Sequence, residues 1–482
     1  MKKRLLFIVL FYSFFGFSQN PVLNLPVNYK SEFYRDKESL ALINESKSEL
    51  VLFIEDHKKT KLVLLNSDLE VKSEFQIETL PKSFKNYLGY KVNKDNSYSV
   101  FFTNLKNKKF GRLDINFETK ESSVHKLDFT FNFEGYVETL MFNNEFYLIS
   151  VTKRSNDVHF YIYNNNGNFD KKTVSFDFLE RKVNSSNKKA SNILFGSKLA
   201  KIDVSLPNAI ELTANENKIY LNNDEFIFTF DNDKNSTIVA KLDPTNFNIK
   251  HDVFKHSVVT LHQFSKHNSY LFDNKLYQIS GSAEELKFTI KDFRTKELIK
   301  NIVLNKSDSI TFKNTPIILE GVGFNGDKTK EIEKTNKFLR KISKDKIGVS
   351  VLRQNENLKI LLGGEIINYS GGASMPGFGG IPLGGFGPLS VSFNPTFSAY
   401  GNYVSSRSTY IGCLFDKDFN HVKGEIEKNS LDKVKDFEDS FDNKSIYTPK
   451  AKLTNVFSFN NKLYFGYLNT EDKNYHLIEF EK

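Results

Sequence analysis

The sequence predicts an all-β chain assembled from repeated four-stranded antiparallel sheets, and three observations predict it. First, a short hairpin motif recurs: an apolar residue, a polar two-residue turn and a second apolar run. Its clearest copies are Phe142-Asn143-Asn144-Glu145-Phe146-Tyr147, Phe272-Asp273-Asn274-Lys275-Leu276-Tyr277 and Phe459-Asn460-Asn461-Lys462-Leu463-Tyr464. A looser copy runs from Asn215 to Tyr220, and weaker cognates end at Val51, Ser99 and Gly348, with Asp95-Asn96 and Lys344-Asp345 in the last two turns. Second, the last residues of the seven copies are 48, 48, 73, 57, 71 and 116 residues apart. That is a unit of about 48 residues lengthened by insertions, long enough for four short strands and their turns. Third, Phe and Tyr make up the 14% aromatic content, which suits strands that pack flat faces against neighbouring sheets.

The elements follow in chain order. Met1 to Ser18 has a basic start, an apolar run from Leu5 to Phe15 and small residues at the end. This is the pattern of a secretory signal peptide cut before Gln19, too short to span a membrane comfortably. From Val27 to about Asp177 short apolar runs alternate with polar turns. Leu50–Glu55 pairs with Lys61–Leu65, Leu69–Phe75 follows, and the pattern repeats through Ser99–Thr103 and Gly111–Phe117. In the third unit Phe146–Val151 and Val158–Tyr163 lead to Asn164-Asn165-Asn166-Gly167, a tight-hairpin signal. The last copy ends at Lys482 after Tyr475–Phe480, only the third strand of its unit. Val27–Tyr34 is expected to supply the fourth, pairing the two chain ends and removing open sheet edges.

In antiparallel units the turns joining strands one to two and three to four share one face, and the remaining connections share the other. The first face has only short turns. The second takes the extra length, around residues 179–207, 305–334, 366–406 and 427–447. Insertions of that length gather on the working face of repeat proteins. Ser408–Leu414 through Phe419–Lys423 resembles Ser236–Leu242 through Phe247–Lys250, so both are expected to be outer hairpins. The 366–406 segment then lies between the second and third strands of the sixth unit.

These repeats and turns resemble a bacterial exported β-propeller over residues 27–482, with seven four-stranded blades closed by pairing of the N- and C-terminal strands. WD40 and kelch families carry Gly-His, Trp-Asp or paired-glycine signatures, whereas this chain has no tryptophan at all, and no named family is matched. The 116-residue step leaves room for six or eight blades.

The formal charge is +9, and +6 once Lys2, Lys3 and Arg4 leave with the signal. Lysines alternate with acidic residues, and the dense basic footprint of a nucleic-acid binder is missing. The single cysteine, Cys413, sits in an apolar run, which excludes an intramolecular disulfide and suits a buried, inert thiol. No cofactor is implied. Gly321-Val322-Gly323-Phe324-Asn325-Gly326 matches a dinucleotide fingerprint and precedes a helical pattern over Thr329–Ile342. No second parallel strand follows, however, so it reads as an inter-blade loop. Asp231-Asn232-Asp233-Lys234-Asn235 has the alternating oxygens of a calcium loop but lacks the glycine and closing glutamate, so it reads as a turn. His251, His256, His262 and His267 are spaced for neither one helix face nor one strand face, and ordinary positions on strands and turns are expected. Gly372-Ala373-Ser374-Met375-Pro376 lacks the second glycine of a nucleophile elbow.

The stretch 366–406 contains no Asp, Glu, Lys or Arg over 41 residues, where the chain average of 26% would place about ten. Its glycines and prolines exclude a membrane helix, and between them stand Met375, Phe378, Ile381, Phe386, Phe393 and Phe397. Such a segment can pack on its own propeller, dock on a partner or touch lipid as a peripheral contact. The expectation is an exported, non-enzymatic binding or scaffold protein of the periplasm or cell surface. Its loop-rich face, with those six residues as contacts, would meet an envelope protein or other ligand. The alternative is a glycan-acting hydrolase or lyase with an acid/base carboxylate pair at the channel.

Overall fold

The computed structural model describes residues 21–27, 39–55, 59–81, 84, 86–164, 166–183, 186–221, 224–256, 266–322, 328–366, 395–404, 406–441 and 450–482. Among the described residues seven blade sheets succeed one another along the chain, with a two-stranded ribbon, Arg181–Val183 and Ser186–Lys188, beside them, and the fold is a seven-bladed β-propeller. Blade one is Ser39–Asn44, Glu49–Glu55, Lys59–Leu65 and Val71–Glu78. Blade two is Asn86–Val92, Tyr98–Thr103, Phe110–Asn116 and Glu121–Leu127. Blade three is Glu134–Phe142, Glu145–Thr152, Asp157–Tyr163 and Phe169–Ser175. Blade four is Asn217–Leu221, Phe226–Asp233, Ser236–Leu242 and Ile249–Lys255, with Leu199–Ile202 added parallel to its innermost strand. Blade five is Lys266–Phe272, Lys275–Gly281, Glu285–Asp292 and Leu298–Asn305. Blade six is Ile347–Gln354, Asn357–Glu365, Ser408–Phe415 and Ile317–Val322, edged by Lys328–Ile332. Blade seven is Ala451–Phe459, Lys462–Asn469 and Asn474–Glu481, completed by Leu23–Pro26 from the other end of the chain.

The hairpin chemistry is as the residues demand. Asn143 and Asn144 have φ of 49° and 58°, Asp273 and Asn274 of 49° and 55°, and Asn460 and Asn461 of 48° and 60°. Two successive left-handed residues define the type I′ turn, whose twist matches the flanking strands. The outer strands, such as Val71–Glu78 and Glu121–Leu127, are largely exposed, while the inner strands are buried on both faces, as sheets stacked around an axis require.

Apolar side chains fill the space between blades. Leu40, Leu42, Val51 and Phe53 of blade one pack with Tyr87, Tyr98 and Phe102 of blade two. Phe101 stacks on Phe146 of blade three at 4.2 Å between ring centroids. Leu25 and Tyr475 of blade seven join Leu50 and Leu52 of blade one. Each fully buried side chain of this kind contributes about 1.5–3 kcal/mol. Blades six and seven are joined differently, through two helices. Of the five α-helices among the described residues, α1 is Ala190–Gly196, α2 Ile210–Thr213, α3 Thr335–Ile342, α4 Pro395–Val404 and α5 Ser430–Ser440. Phe397 and Tyr400 of α4 and Leu431 and Val434 of α5 pack with Val456, Leu463 and Phe465 of blade seven. On the other side of α5, Asp432 and Lys435 face Glu320 of blade six. Asn429 fixes where α5 begins, because its side chain accepts from the amides of Leu431 and Asp432 at 2.9 and 3.0 Å.

Five expectations are corrected. Ring closure uses Leu23–Pro26, not Val27–Tyr34: Leu25 pairs with Tyr475 and buries its side chain, while residues 28–38 lie outside the described residues. The Asn215–Tyr220 copy is no hairpin, because the turn of α2 sends the chain into the first strand of blade four beside a parallel neighbour. The copy ending at Gly348 is likewise a helix-to-strand passage out of α3; the hairpin of blade six turns at Asn355, φ 54°. Its outer strand is not Phe419–Lys423, which makes only the bridge from Phe415 to His421. The upstream strand Ile317–Val322 takes that place against Ser408–Phe415, with Lys328–Ile332 outside it. Asn314 secures the exchange by accepting from Leu414 N at 2.7 Å and donating to Val422 O at 2.8 Å. The helical pattern expected over Thr329–Ile342 therefore divides into that edge strand and α3.

Candidate functional site

The tight Asn-Asn turns lie on one face of the ring, and strand direction places the long connections on the other. The neck of the 366–406 excursion stands on that loop-rich face. Glu365 and Ser408 are ladder partners on adjacent strands of blade six, and Ile366 N donates to Arg407 O at 2.7 Å. The excursion thus leaves and re-enters the sheet at one point. Gly321 allows the close approach beside it: its φ is +71°, and a side chain there would lie 2.8 Å from Ser406 O. On return the chain forms α4 before rejoining the sheet.

Of the six contact residues expected here, Phe397 is 2% exposed and packs with Leu206, Leu431 and Val456. It anchors the root of the excursion. Met375, Phe378, Ile381, Phe386 and Phe393 lie outside the described residues, as does the segment 1–18 expected to be a signal peptide.

Residues 199–214 had no motif to mark them, and they fill the ring's axis. Leu199–Ile202 runs along the inner edge of blade four. Lys201 Nζ donates to Thr139 O of blade three at 3.2 Å and pairs with Glu138 at 3.3 Å. Leu206 sits in the blade-seven cluster, and Asn208 Nδ2 donates to Tyr270 Oη of blade five at 3.1 Å. α2 lies on blade six so closely that a Cβ at Gly348 would stand 3.0 Å from Ala214 N and 3.1 Å from Ile210 O. One short segment touching the innermost strands of five blades can only lie along their common axis. Its only advance signal was the length of the 179–207 insertion.

Glu211 joins this plug to the neck, since Arg407 N donates to its Oε2 at 3.1 Å. Burial pushes the Glu211 carboxyl up to about 7, the Arg407 amide opposes that, and the neighbouring Glu365 adds to it. Glu365 is itself raised by burial. Between the helices, Tyr400 Oη donates to Glu438, whose carboxyl burial raises to about 6, and Tyr403 Oη donates to Asp432.

The remaining candidates resolve into structure. Asp231 of the calcium-like run is fully buried in an ion pair with Lys218. His251 stacks on Phe178, and His256 and His267 stack on each other at 4.6 Å; His262 lies outside the described residues. Among the described residues no group of three or more His, Cys, Asp or Glu side chains is disposed to hold a metal, and no helix is long and apolar enough to cross a membrane. Cys413 is buried, and burial pushes its thiol up. The opposite face carries a cleft of about 910 Å³ lined by Asn93, Ser99, Arg112, Asp114 and Tyr163. Its polar groups largely satisfy one another: Asp114 accepts from Ser99 at 2.7 Å and pairs with Arg112 at 2.6 Å.

No protein-family model matches the chain, and no curated protein matches it. Among solved structures it is similar to a prolyl endopeptidase at 8% identity and a TM-score of 0.33, covering 69% of this chain and 47% of that one. The WD40 domain of SCAP from fission yeast is 9% identical with a TM-score of 0.30, over 96% of this chain and 98% of that domain. The Dos1 propeller is 9% identical with a TM-score of 0.25, over 67% and 66%. The likeness is one of fold alone.

Proposed function

We propose that this chain is an exported, non-enzymatic binding or scaffold protein that uses the loop-rich face of its propeller to hold a protein partner or ligand in the cell envelope. The observation that carries this reading is the neck: Ile366 N bonded to Arg407 O, with α4 packed on blade seven behind it. A long uncharged excursion tied at its stem and rooted in a helix is a presented surface element. The filled axis favours the same reading, because an enzyme working at a channel mouth needs space that residues 199–214 occupy. Propellers in general supply rigid platforms for protein contacts.

The test is a deletion of residues 371–391, which spares Phe397 and Tyr400 and hence this packing. The expected result is an unchanged melting temperature with loss of the partner recovered from envelope extracts by the intact chain. Unchanged recovery overturns the reading. A second reading, hydrolysis or elimination on a glycan, is favoured by one observation, the raised carboxyls of Glu211 and Glu365 at the neck. Substituting Glu211→Gln separates the two, since only the second reading requires turnover of an oligosaccharide to be abolished.

A further inference from the structure

Five bulky apolar residues among those described hold a left-handed backbone: Leu69, Phe133, Phe247, Phe419 and Leu453, with φ between 51° and 64°. That conformation crowds the Cβ of any L-residue and is adopted where something compensates. For four of them burial compensates. Leu69, Phe419 and Leu453 are 7%, 3% and 6% exposed, and Phe247 packs against Phe160 with ring centroids 5.5 Å apart. Phe133 is 86% exposed. Its conformation is held from behind by Lys153 N, which donates to Phe133 O at 2.9 Å, and its ring is left in solvent.

The neighbours of Phe133 lie on the loop-rich edge of blades two and three. Phe195 of α1, 47% exposed, lies over Gly135, where an added Cβ would stand 2.5 Å from its ring. Leu105, 60% exposed, tips the turn 104–109. That turn leads into Phe110, which packs edge-to-face on Phe129 and Phe131 of the connection ending in Phe133. The segments 104–109, 128–133, 153–156 and 195–198 carry Lys106, Lys108, Lys109, Lys153, Arg154 and Lys198 against Asp128 and against Asp157 and Glu180, which accept from Ser155 and Asn156 at 2.7 and 2.6 Å. Arg154 also has a left-handed backbone, φ 58°. Exposed aromatic and aliphatic tips inside a collar of cations match a bilayer interface, where rings enter the headgroup layer and lysines meet phosphates.

We propose that Phe133, with Leu105 and Phe195 on the same edge, docks this edge of the propeller on an anionic phospholipid surface. The inference rests on reading the loop-rich face as the contact face, and it concerns a different part of that face from the 366–406 excursion.

The test uses the chain from Gln19 onward, which removes the apolar leader, sedimented with vesicles of phosphatidylcholine alone or mixed with phosphatidylglycerol. Binding is expected to the mixed vesicles only, and to weaken as salt rises. Phe133→Asn relieves the backbone, because Asn tolerates the left-handed region, so the melting temperature should hold or rise. Affinity for the mixed vesicles should fall about tenfold, as loss of one inserted Phe implies. The pair Lys153→Glu and Arg154→Glu should lower affinity and its salt dependence together. Equal binding to both vesicle types, or no binding to either, overturns the proposal. So does a Phe133→Asn variant that binds as before, or one that melts earlier, which would show the ring packing on its own chain. The variant lacking residues 371–391 should still bind these vesicles, so failure of the excursion as a partner site leaves this result readable.

Discussion

Lys218 Nζ lies 3.0 Å from Asp231 Oδ2, and both side chains are fully buried. The pair joins two blades: Lys218 also donates to Asn268 Oδ1 at 2.7 Å, and Asp231 accepts from the backbone and hydroxyl of Ser269 at 3.1 and 2.9 Å. Burial alone would raise the Asp231 carboxyl, yet Lys218, His256 and Thr237 hold it below its ordinary value. Replacing Lys218 by Met leaves that charge buried without its cation, which costs about 3–5 kcal/mol. Replacing both, Lys218→Met with Asp231→Leu, should recover much of the loss. Urea unfolding of the two variants measures the difference, and equal destabilisation by both would show that the pair is not the interaction at stake.

Ring closure gives a second expectation. Leu25 is 3% exposed between Tyr475 and the core of blade one, so Leu25→Ala should destabilise by about 2–4 kcal/mol. Removing residues 21–27 altogether should do more. It bares the edge of Asn474–Leu477, where four residues are now paired, and an open edge invites intermolecular strand pairing. Light scattering on heating should rise for the truncated chain and remain low for Leu25→Ala. Identical behaviour of both would mean that closure is not what protects this edge.

Much of this fold was legible because its signals are local. Asn143-Asn144, Asp273-Asn274 and Asn460-Asn461 specify their turns by backbone conformation alone, and the β-branched and aromatic residues of Val158–Tyr163 or Tyr475–Phe480 specify a strand wherever it packs. What the sequence concealed is long-range. Ile317–Val322 reads as an apolar strand of no particular partner, and nothing in it announces that it displaces Phe419–Lys423 about a hundred residues on. Asn314 performs that exchange with one side chain. The axial plug is hidden for the same reason: Lys201, Asn208 and Glu211 belong to no motif, and their roles exist only once five blades surround them. Phe397 looked like its glycine-flanked neighbours, but it begins a helix whose partners, Leu206 and Val456, are far off in sequence.

The plug can be tested at its tightest contact. Gly348 has backbone atoms of α2 at 3.0 and 3.1 Å from where a side chain would begin, and neither can rotate away. Gly348→Val should therefore displace α2 and destabilise by about 1–3 kcal/mol, with new proteolytic cleavage within residues 203–209. Cleavage elsewhere, or none, would mean that α2 is not held by blade six.

Glu211 sets the last expectation. Its carboxyl is raised from 4.5 to about 7 by burial first and by Glu365 second, against the Arg407 amide and the charges of Arg407 and Lys346. Between those two values the unfolded chain has released this proton while the folded chain keeps it, so the unfolded state binds fewer protons and stability falls as pH rises. The contribution is fully present below about pH 4.5 and lost by about pH 8, on the order of 2 kcal/mol for a partly exposed group. Glu438, raised by burial to about 6, acts in the same direction over a narrower range. Glu211→Gln keeps an acceptor for Arg407 N and removes the titration. Melting temperature plotted against pH should fall between pH 5 and 8 for the native chain and flatten for the variant. Parallel curves would mean that burial does not raise the Glu211 carboxyl, which would remove the one observation that favours the glycan-cleaving alternative.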